Sequence, residues 1–253
     1  MGDLNKIRRW GNAASLFGVV QFLVLSHAAM LFYPGGSPIN RTGTGYRYFE
    51  NPYSDLGRSQ AWNGQDNSVS ALMFNTAMMA LGVLMIPFFV FLPMHAPDKP
   101  ILLGIGAVAG VFSSLSLAGI GWTPYDLQFA AHHWWLAIWV LLLLLVGCIH
   151  FFALLLSKEA SDWFAYSSLG LVIVICIYAS QGIDQAMGFL TNGMDEEVSA
   201  SLFRMQKLLV LYCVFWYAVS SARMVYIPRV EFRSVHDKLA EEARDYLPRF
   251  GRK

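Results

Sequence analysis

The sequence predicts an all-α fold, a polytopic membrane protein with a six-transmembrane-helix bundle and cytoplasmic N- and C-termini. Of its 253 residues, 56% are hydrophobic and only 14% are charged, against about 25% charged in an ordinary soluble domain. The charges cluster at the ends and in short loops. Between them lie segments of about 20 residues, long enough to cross a hydrocarbon core of about 30 Å. Because these segments are continuously apolar and do not alternate, a transmembrane β-barrel is excluded.

Six apolar segments alternate with polar connections along the chain. The first follows a basic start and is longer than the apolar region of about 7–15 residues in a signal peptide, so we expect it to be retained. The third is dense in Gly, Ala and Ser, which allow close helix contacts in lipid. The predicted spans are residues 13–33, 69–92, 101–122, 129–156, 163–185 and 203–226.

These spans form one predicted domain, residues 1–227, followed by a charged tail, residues 228–253. In the tail, apolar residues recur at helical spacing among charged ones, which predicts an amphipathic helix on the cytoplasmic headgroups. The formal net charge is +1, so nothing indicates nucleic acid as a partner. The oligomeric state is left open.

The distribution of lysine and arginine predicts the orientation. With six spans both termini share one side, which collects twelve of these residues, whereas the other side has five. The termini are therefore expected in the cytoplasm, most simply across a bacterial inner membrane. The long first loop, the break before the fourth span and the connection before the sixth then face the extracytoplasmic side.

Scarce polar residues gather at that extracytoplasmic interface, which predicts a site there, because ionisable groups at membrane depth are costly and usually functional. They come from the first loop, the break between the third and fourth spans, the end of the fifth span and the start of the sixth. The expected site residues are Ser54, Asp55, Asp126, His132, His133, Gln181, Asp184, Arg204 and Lys207.

The chemistry of these residues suggests roles for them in an enzyme. His132 or His133, with Asp126 and Asp55, would bind a divalent metal such as zinc or act as a base. Asp126, His132 and His133 are the candidate metal ligands. Asp184 is the fifth candidate catalytic group.

The remaining candidates would bind substrate. Lys207 or Arg204 would hold an anionic headgroup. Gln181 shares a helix face with Asp184, three residues later. Ser54 stands beside the candidate Asp in the first loop, although no base is assigned to it.

Simpler structural roles stay open for the same residues. Each histidine can donate one hydrogen bond near the membrane surface. Asp126 follows Pro124, where a helix N-cap is expected. Asp55 lies in a turn-like segment in which bonds to the backbone are common. Asp184 can simply pair with a basic residue of the sixth span.

The sequence argues against a haem and against a disulfide. His150 lies on the same span as the histidine pair, but only His27 is predicted elsewhere in the bilayer, so His150 has no partner for bis-histidine ligation. The cysteines, Cys148, Cys176 and Cys213, lie singly inside apolar spans, which predicts neither a disulfide nor a zinc–thiolate site.

Two motifs resemble those of a known family. Asn-Pro-x-Ser-Asp-Leu-Gly at residues 51–57 and Gly-x-x-Pro-x-Asp at 121–126, followed by a histidine pair, look like the DUF998 family of six-span membrane proteins. That family is similar to the wider Frag1/DRAM/Sfk1 group. The likeness covers about residues 13–227 and implies the six-helix topology. It carries over the polar signature of Ser54, Asp55, Asp126, His132 and His133.

The resemblance also implies a class of partner. Members of the wider group are linked to lipid and GPI-anchor remodelling and to membrane-lipid organisation, so a membrane lipid is the implied partner. A looser chemical likeness is to seven-span metal hydrolases that include alkaline ceramidases, which hold zinc with Ser, Asp and His near one membrane face. Here the helix count differs and the spaced histidine pair is missing.

These observations lead to one leading hypothesis and two alternatives. The leading hypothesis is an outward-facing polar Asp/His pocket that binds or modifies a lipid or amphiphilic molecule, in the second case by metal-assisted hydrolysis or transfer. The first alternative is a non-enzymatic lipid-binding or regulatory membrane protein. The second is a proton-coupled transporter, although its polar residues would have to continue through the bilayer.

Overall fold

The computed structural model describes residues 2–158, 162–192 and 200–226, with the side chains of 2, 162, 183–192 and 200 outside that description. Over this part the chain is all-helical, with six helices long and apolar enough to cross a membrane, which confirms the predicted fold class. The long helices are α1 (Gly2–Phe32), α2 (Ser68–Val90), α3 (Pro100–Trp122), α4 (Phe129–Leu155), α5 (Asp162–Asn192) and α6 (Ala200–Tyr226).

The helices form a closed ring, because each packs against the next in sequence and α1 also packs against α6. Apolar burial gives little drive for association in lipid, so close backbone contact must hold helices together. Gly82 of α2 provides such a contact, since a Cβ at this position would lie 2.5 Å from the backbone nitrogen of Ala118 in α3. A larger residue there would force the two helices apart.

One end of the bundle, here the termini end, joins α1 to α6. Arg8 donates to the carbonyl oxygen of Met224 at 2.7 Å, and Arg9 donates to that of Val225 at 3.2 Å. Carbonyl groups in the last turn of a helix have no partner within the helix, so the arginines satisfy orphan acceptors. α1 therefore begins at Gly2, well before the predicted span, because its basic first turns have this packing role.

α5 is longer than the predicted fifth span. α5 continues to Asn192, past the predicted end at residue 185, so Asp184 is placed on a helix while its side chain lies outside the description. The predicted amphipathic tail, residues 228–253, also lies outside the described residues.

The opposite end, here the long-loop end, is covered by residues 33–67 between α1 and α2. This loop is folded on itself and contains a short 3₁₀ helix, Tyr53–Gly57. The amide group of Asn67 donates to the carbonyl oxygens of Leu56 at 3.2 Å and of Arg58 at 2.8 Å. Asn75 of α2 donates to the carbonyl oxygen of Gly57 at 3.0 Å. Its role is therefore to tie the loop to α2.

A fully buried hydrogen-bonded chain lies in the half of the bundle near the termini end. His95 follows α2 in a second 3₁₀ helix, Leu92–His95, and its Nδ1 lies 2.7 Å from Nε2 of His150 in α4. Nδ1 of His150 lies 2.7 Å from Oγ of Ser168 in α5, which accepts a bond from Nε1 of Trp216 in α6 at 3.1 Å. The inference that His150 has no histidine partner is therefore wrong. Its partner occupies a buried loop and was not predicted within the bilayer.

Candidate functional site

The first loop is anchored to α6 by the buried lysine of that helix. Lys207 donates to the carbonyl oxygen of Asn51 at 2.8 Å and to the hydroxyl of Tyr46. Its Nζ also lies 4.0–5.2 Å from the ring centres of Tyr46, Tyr48 and Tyr53, within the range of a cation–π interaction. Lys207 is only 3% exposed. The ammonium group therefore lies in an internal cage formed by these three tyrosine rings and does not face a lipid headgroup.

Asp55 is the buried acid of the same loop, 1% exposed. Its carboxylate accepts from the side-chain amide of Asn51 at 2.8 Å and from Nε1 of Trp62 at 2.9 Å. Burial raises the pKa of Asp55 to about 6, against these two hydrogen bonds and the positive charges of Arg58 and Lys207, which lower it. Asp55 thus titrates closer to neutral pH than an ordinary carboxylate, and its partners are side chains rather than the expected backbone groups.

Asp126 clamps the later part of the loop to the turn between α3 and α4. It accepts from the backbone nitrogen of Ser59 at 2.9 and 3.0 Å, from the Ser59 hydroxyl at 2.6 Å and from the backbone nitrogen of Gln60 at 3.1 Å. Partial burial alone would raise the pKa of Asp126, but these bonds outweigh it and hold the pKa below its ordinary value. The residue at the N-cap of α4 is Gln128, so the capping role considered for Asp126 is wrong.

The two adjacent histidines of α4 have different surroundings. His132 is buried, and its Nδ1 donates to the carbonyl oxygen of Thr123 at 2.7 Å. In the neutral ring this leaves Nε2 as the acceptor. His133 is exposed, and its Nδ1 donates to the carbonyl oxygen of Phe129 at 2.8 Å. The helical step of about 100° separates their directions.

The residues proposed as metal ligands are not gathered into one site. Asp126 faces Ser59, His132 faces the backbone of Thr123, and His133 faces outward. Among the side chains that the structure describes, which leave out that of Asp184, no group of three or more from His, Cys, Asp or Glu is arranged to hold a metal ion.

A cavity between the helices extends from the long-loop end into the bundle. Its polar lining comes from Ser54, His132 and Gln206, and most of the remaining wall is aliphatic or aromatic. The cavity volume is about 60 Å³, and the surrounding space not filled by atoms, including the part that is open to the outside, is about 670 Å³. Along α6 the wall runs from Gln206 to Tyr217, about 16 Å at the helical rise of 1.5 Å per residue. The cavity is therefore long. Ser54, His132 and Gln206 lie at its long-loop end, and the aromatic polar groups of Trp139 and Tyr217 lie deeper in the bundle.

The other predicted substrate-binding residues are spread around this cavity. Ser54 and the neighbouring Tyr53 both line it, and the backbone nitrogen of Tyr53 donates to Oε1 of Gln206 at 2.8 Å. Gln181 is half-buried on α5, and Arg204 is exposed on α6. The structure thus brings Ser54 and His132 to one cavity, with Asp55 and Lys207 behind its loop wall.

Sequence reasoning missed several residues that build this end. Trp62 holds Asp55, and Gln206 holds Tyr53. The closely spaced Tyr46, Tyr48 and Tyr53 provide the wall around the buried lysine. A lysine inside a predicted span together with an aromatic-rich loop was the available signal, because a buried ammonium group needs polar or aromatic partners.

Comparison with known proteins supports the architecture and gives no activity. No curated protein and no solved structure matches the chain. The family described as Protein of unknown function (DUF998) matches residues 16–220, which include every predicted site residue. A match over most of the chain establishes membership, and it agrees with the six apolar helices. The chain is therefore a multi-pass membrane protein that belongs to the DUF998 family.

Proposed function

We propose that this protein binds an amphiphilic molecule, with the apolar chain of that molecule in the central cavity and its polar end at the long-loop end. The observation that carries the proposal is the lining of the cavity. Ligand sites are mostly apolar with a few convergent polar groups, and here Ser54, His132 and Gln206 supply such groups at one end of a mostly aliphatic and aromatic wall. A membrane lipid has the matching division of polarity.

The orientation belongs to the same proposal. The excess of lysine and arginine at the termini end favours a cytoplasmic location for that end. The long-loop end, with Ser54, His132 and Gln206 in the cavity lining, would then face the extracytoplasmic side of a bacterial inner membrane. The ligand would come from the outer leaflet or from outside the cell.

The proposal can be tested by photo-crosslinking the purified full-length protein in lipid nanodiscs. The probe is phosphatidylcholine with a diazirine in one acyl chain. We expect cross-links on cavity-lining residues such as Leu136 and Val210. Val210→Trp fills the cavity and should reduce these cross-links several-fold. Leu211→Trp adds the same bulk at the neighbouring, exposed position and should not.

Two results would count against a binding cavity. One is labelling confined to the outward faces of the helices. The other is equal labelling of the cavity in wild type and Val210→Trp, which would mean that the chain reaches these residues without entering the space that tryptophan fills.

Hydrolysis of the bound molecule is a second candidate, favoured by the positions of Ser54 and His132. Both line the cavity, and the bond from Nδ1 of His132 to Thr123 leaves Nε2 as the acceptor that a general base requires. Mass spectrometry of an ester phospholipid incubated with the protein would detect its products. Equal product from wild type and His132→Gln would rule out this role for His132.

A further inference from the structure

Two arginines share one tryptophan ring on the surface of the long-loop end. The guanidinium carbon of Arg58 lies 4.1 Å from the centre of the Trp62 ring, and that of Arg41 lies 5.2 Å from it. Trp62 is itself fixed, because its Nε1 donates to Asp55 at 2.9 Å. We refer to Arg41, Arg58 and Trp62 as the arginine–tryptophan stack. Both positive charges are thus held within 5.2 Å of one ring centre before any ligand arrives.

Of the acids that the structure describes, Asp55 belongs to the support of the stack, since it accepts from Trp62 and lies under the charge of Arg58, and the others have partners elsewhere. Glu50 pairs with Arg47 at 3.2 Å. Asp126 accepts the bonds of Ser59 and Gln60, and Asp66 accepts the hydroxyl of Ser68 at 2.7 Å. In the part of the chain that the structure describes, neither arginine of the stack has a carboxylate within 4.0 Å, since the ion pairs there are those of Lys6, Arg47 and Lys99.

The stack is connected to the cavity by aromatic contacts. Arg58 lies 5.5 Å from the ring centre of Tyr125, and this ring meets His132 edge-on at 5.7 Å. His132 lines the cavity. The Tyr125 ring thus separates Arg58 from the lining of the cavity, and a polar end that extends past this ring from the cavity would reach the stack.

The geometry points to a phosphate-binding site at the arginine–tryptophan stack, which holds the phosphate headgroup of the amphiphile proposed for the cavity. In this proposal Arg41 and Arg58 bind the anionic headgroup, a role that the sequence pattern predicts for Lys207 or Arg204. This inference rests on the proposed function for the lipid as the source of the phosphate.

The chemistry favours phosphate over a carboxylate. Guanidinium forks bind phosphate oxygens in pairs, and arginine is enriched wherever planar recognition of phosphate matters. A phosphate monoester has three terminal oxygens and a charge of about −1.5 to −2 near neutral pH, so it can satisfy two guanidinium groups at once. Nε of Arg58 donates to the carbonyl oxygen of Gln60 at 3.0 Å, which fixes the guanidinium group. The N–H groups of its two terminal nitrogens can then donate to phosphate.

Native mass spectrometry of the full-length protein in maltoside micelles, which carry no phosphate, tests the site. The probes are phosphatidic acid and diacylglycerol with the same chains. We expect the wild type to retain phosphatidic acid preferentially. Arg41→Gln/Arg58→Gln should weaken its binding by roughly tenfold or more, given the strength of charge-assisted hydrogen bonds. Binding of diacylglycerol should stay unchanged.

Arg47→Gln is the matched control, because it removes one charge from the same loop at a residue already paired with Glu50. It should leave the preference for phosphatidic acid intact. Inorganic phosphate distinguishes the source of the ligand. If it stabilises the wild type but not the double variant and removes the lipid preference, the stack is the binder and free phosphate is its ligand.

The outcomes separate this inference from the proposed function. An undiminished preference for phosphatidic acid in Arg41→Gln/Arg58→Gln would overturn the phosphate site, even if Val210→Trp still abolished the binding of both lipids. Conversely, the double variant could lose binding of phosphatidic acid alone while Val210→Trp leaves the binding of both lipids unchanged. This result would support the phosphate site and would show that the acyl chain does not bind in the cavity.

Discussion

Nζ of Lys207 lies 2.8 Å from the carbonyl oxygen of Asn51, a residue 156 positions earlier in the chain. This bond closes the first loop onto the start of α6, and the tyrosine rings around it exclude water from the ammonium group. An intramembrane lysine is usually interpreted as a functional group. Here its first role is architectural, since it holds the loop that forms one wall of the cavity.

Replacing this lysine by an apolar residue of similar length should destabilise the protein. Lys207→Met removes the shorter of the two bonds that the Asn51 carbonyl accepts, the other coming from the Tyr46 hydroxyl at 3.2 Å, and it also removes the cation–π contacts. Losing these interactions should cost about 1–3 kcal/mol. Denaturant titration of the purified protein would measure the change in the free energy of unfolding. Arg204→Met, at an exposed position on the same helix, should change it by less than about 0.5 kcal/mol. Equal effects of the two substitutions would contradict the stabilising role of the tyrosine cage around Lys207.

Asp55 should make stability fall as the pH rises from about 4 to about 6. Its ordinary pKa of 3.8 is raised to about 6 by burial in the folded protein, so the folded state holds a proton that the unfolded chain has lost. The stabilising contribution is complete below pH 3.8 and absent above the folded pKa. A shift of this size corresponds to about 3 kcal/mol. Melting curves across this pH range should show the slope in wild type and lack it in Asp55→Asn.

Asp126 should make stability depend on pH in the opposite direction from Asp55. Its pKa is lowered in the folded protein, so its contribution is present above the ordinary value of 3.8 and is lost as the pH falls through the folded pKa. Asp126→Asn should therefore remove a slope that rises with pH. If both aspartate variants changed the pH profile in the same direction, the assignment of the two environments would be wrong.

The clamp made by Asp126 should also be visible in local dynamics. In Asp126→Asn one of the two acceptor oxygens becomes a donor, so the backbone amides of Ser59 and Gln60 lose protection. Hydrogen exchange by mass spectrometry should show faster exchange in peptides covering residues 58–66. Asp66→Asn, which alters only an exposed bond to Ser68, should leave the exchange of Ser59 and Gln60 nearly unchanged.

The buried histidine pair should show strong coupling. His150→Phe removes the partners of both His95 and Ser168, and each unsatisfied buried group costs about 1–3 kcal/mol. His95→Phe should be similarly damaging. The double variant should lose clearly less than the sum, because the bond between the rings is lost only once. Additive losses in this cycle would mean that the 2.7 Å contact contributes nothing.

Cysteine labelling in intact cells would test the proposed orientation. With Cys148, Cys176 and Cys213 replaced by alanine, single cysteines at exposed positions in the loop and in α1 can be compared. Thr42→Cys should react with a membrane-impermeant maleimide, whereas Lys6→Cys should react only after the cells are opened. The reverse pattern would place the termini outside.

The helices and the polar end of the bundle could be predicted, whereas the partners of the polar groups could not. Hydropathy shows where the chain crosses the membrane, but it does not show which carboxylate meets which donor. Asp126 resembles an N-cap by position, yet its partner lies in a loop 67 residues earlier. His95 was missed because a short loop between two spans gives no sign that it folds into the core.

The directions of the hydrogen bonds between Trp216 and His95 have a consequence for proton movement. An indole nitrogen can only donate, so Ser168 accepts from Trp216, whereas the directions of the bonds among Ser168, His150 and His95 depend on the tautomers of the two rings. A proton released at His95 cannot be replaced from Trp216, because the indole nitrogen has no lone pair to receive one. Proton transfer along this chain therefore ends at Ser168 and cannot continue through Trp216.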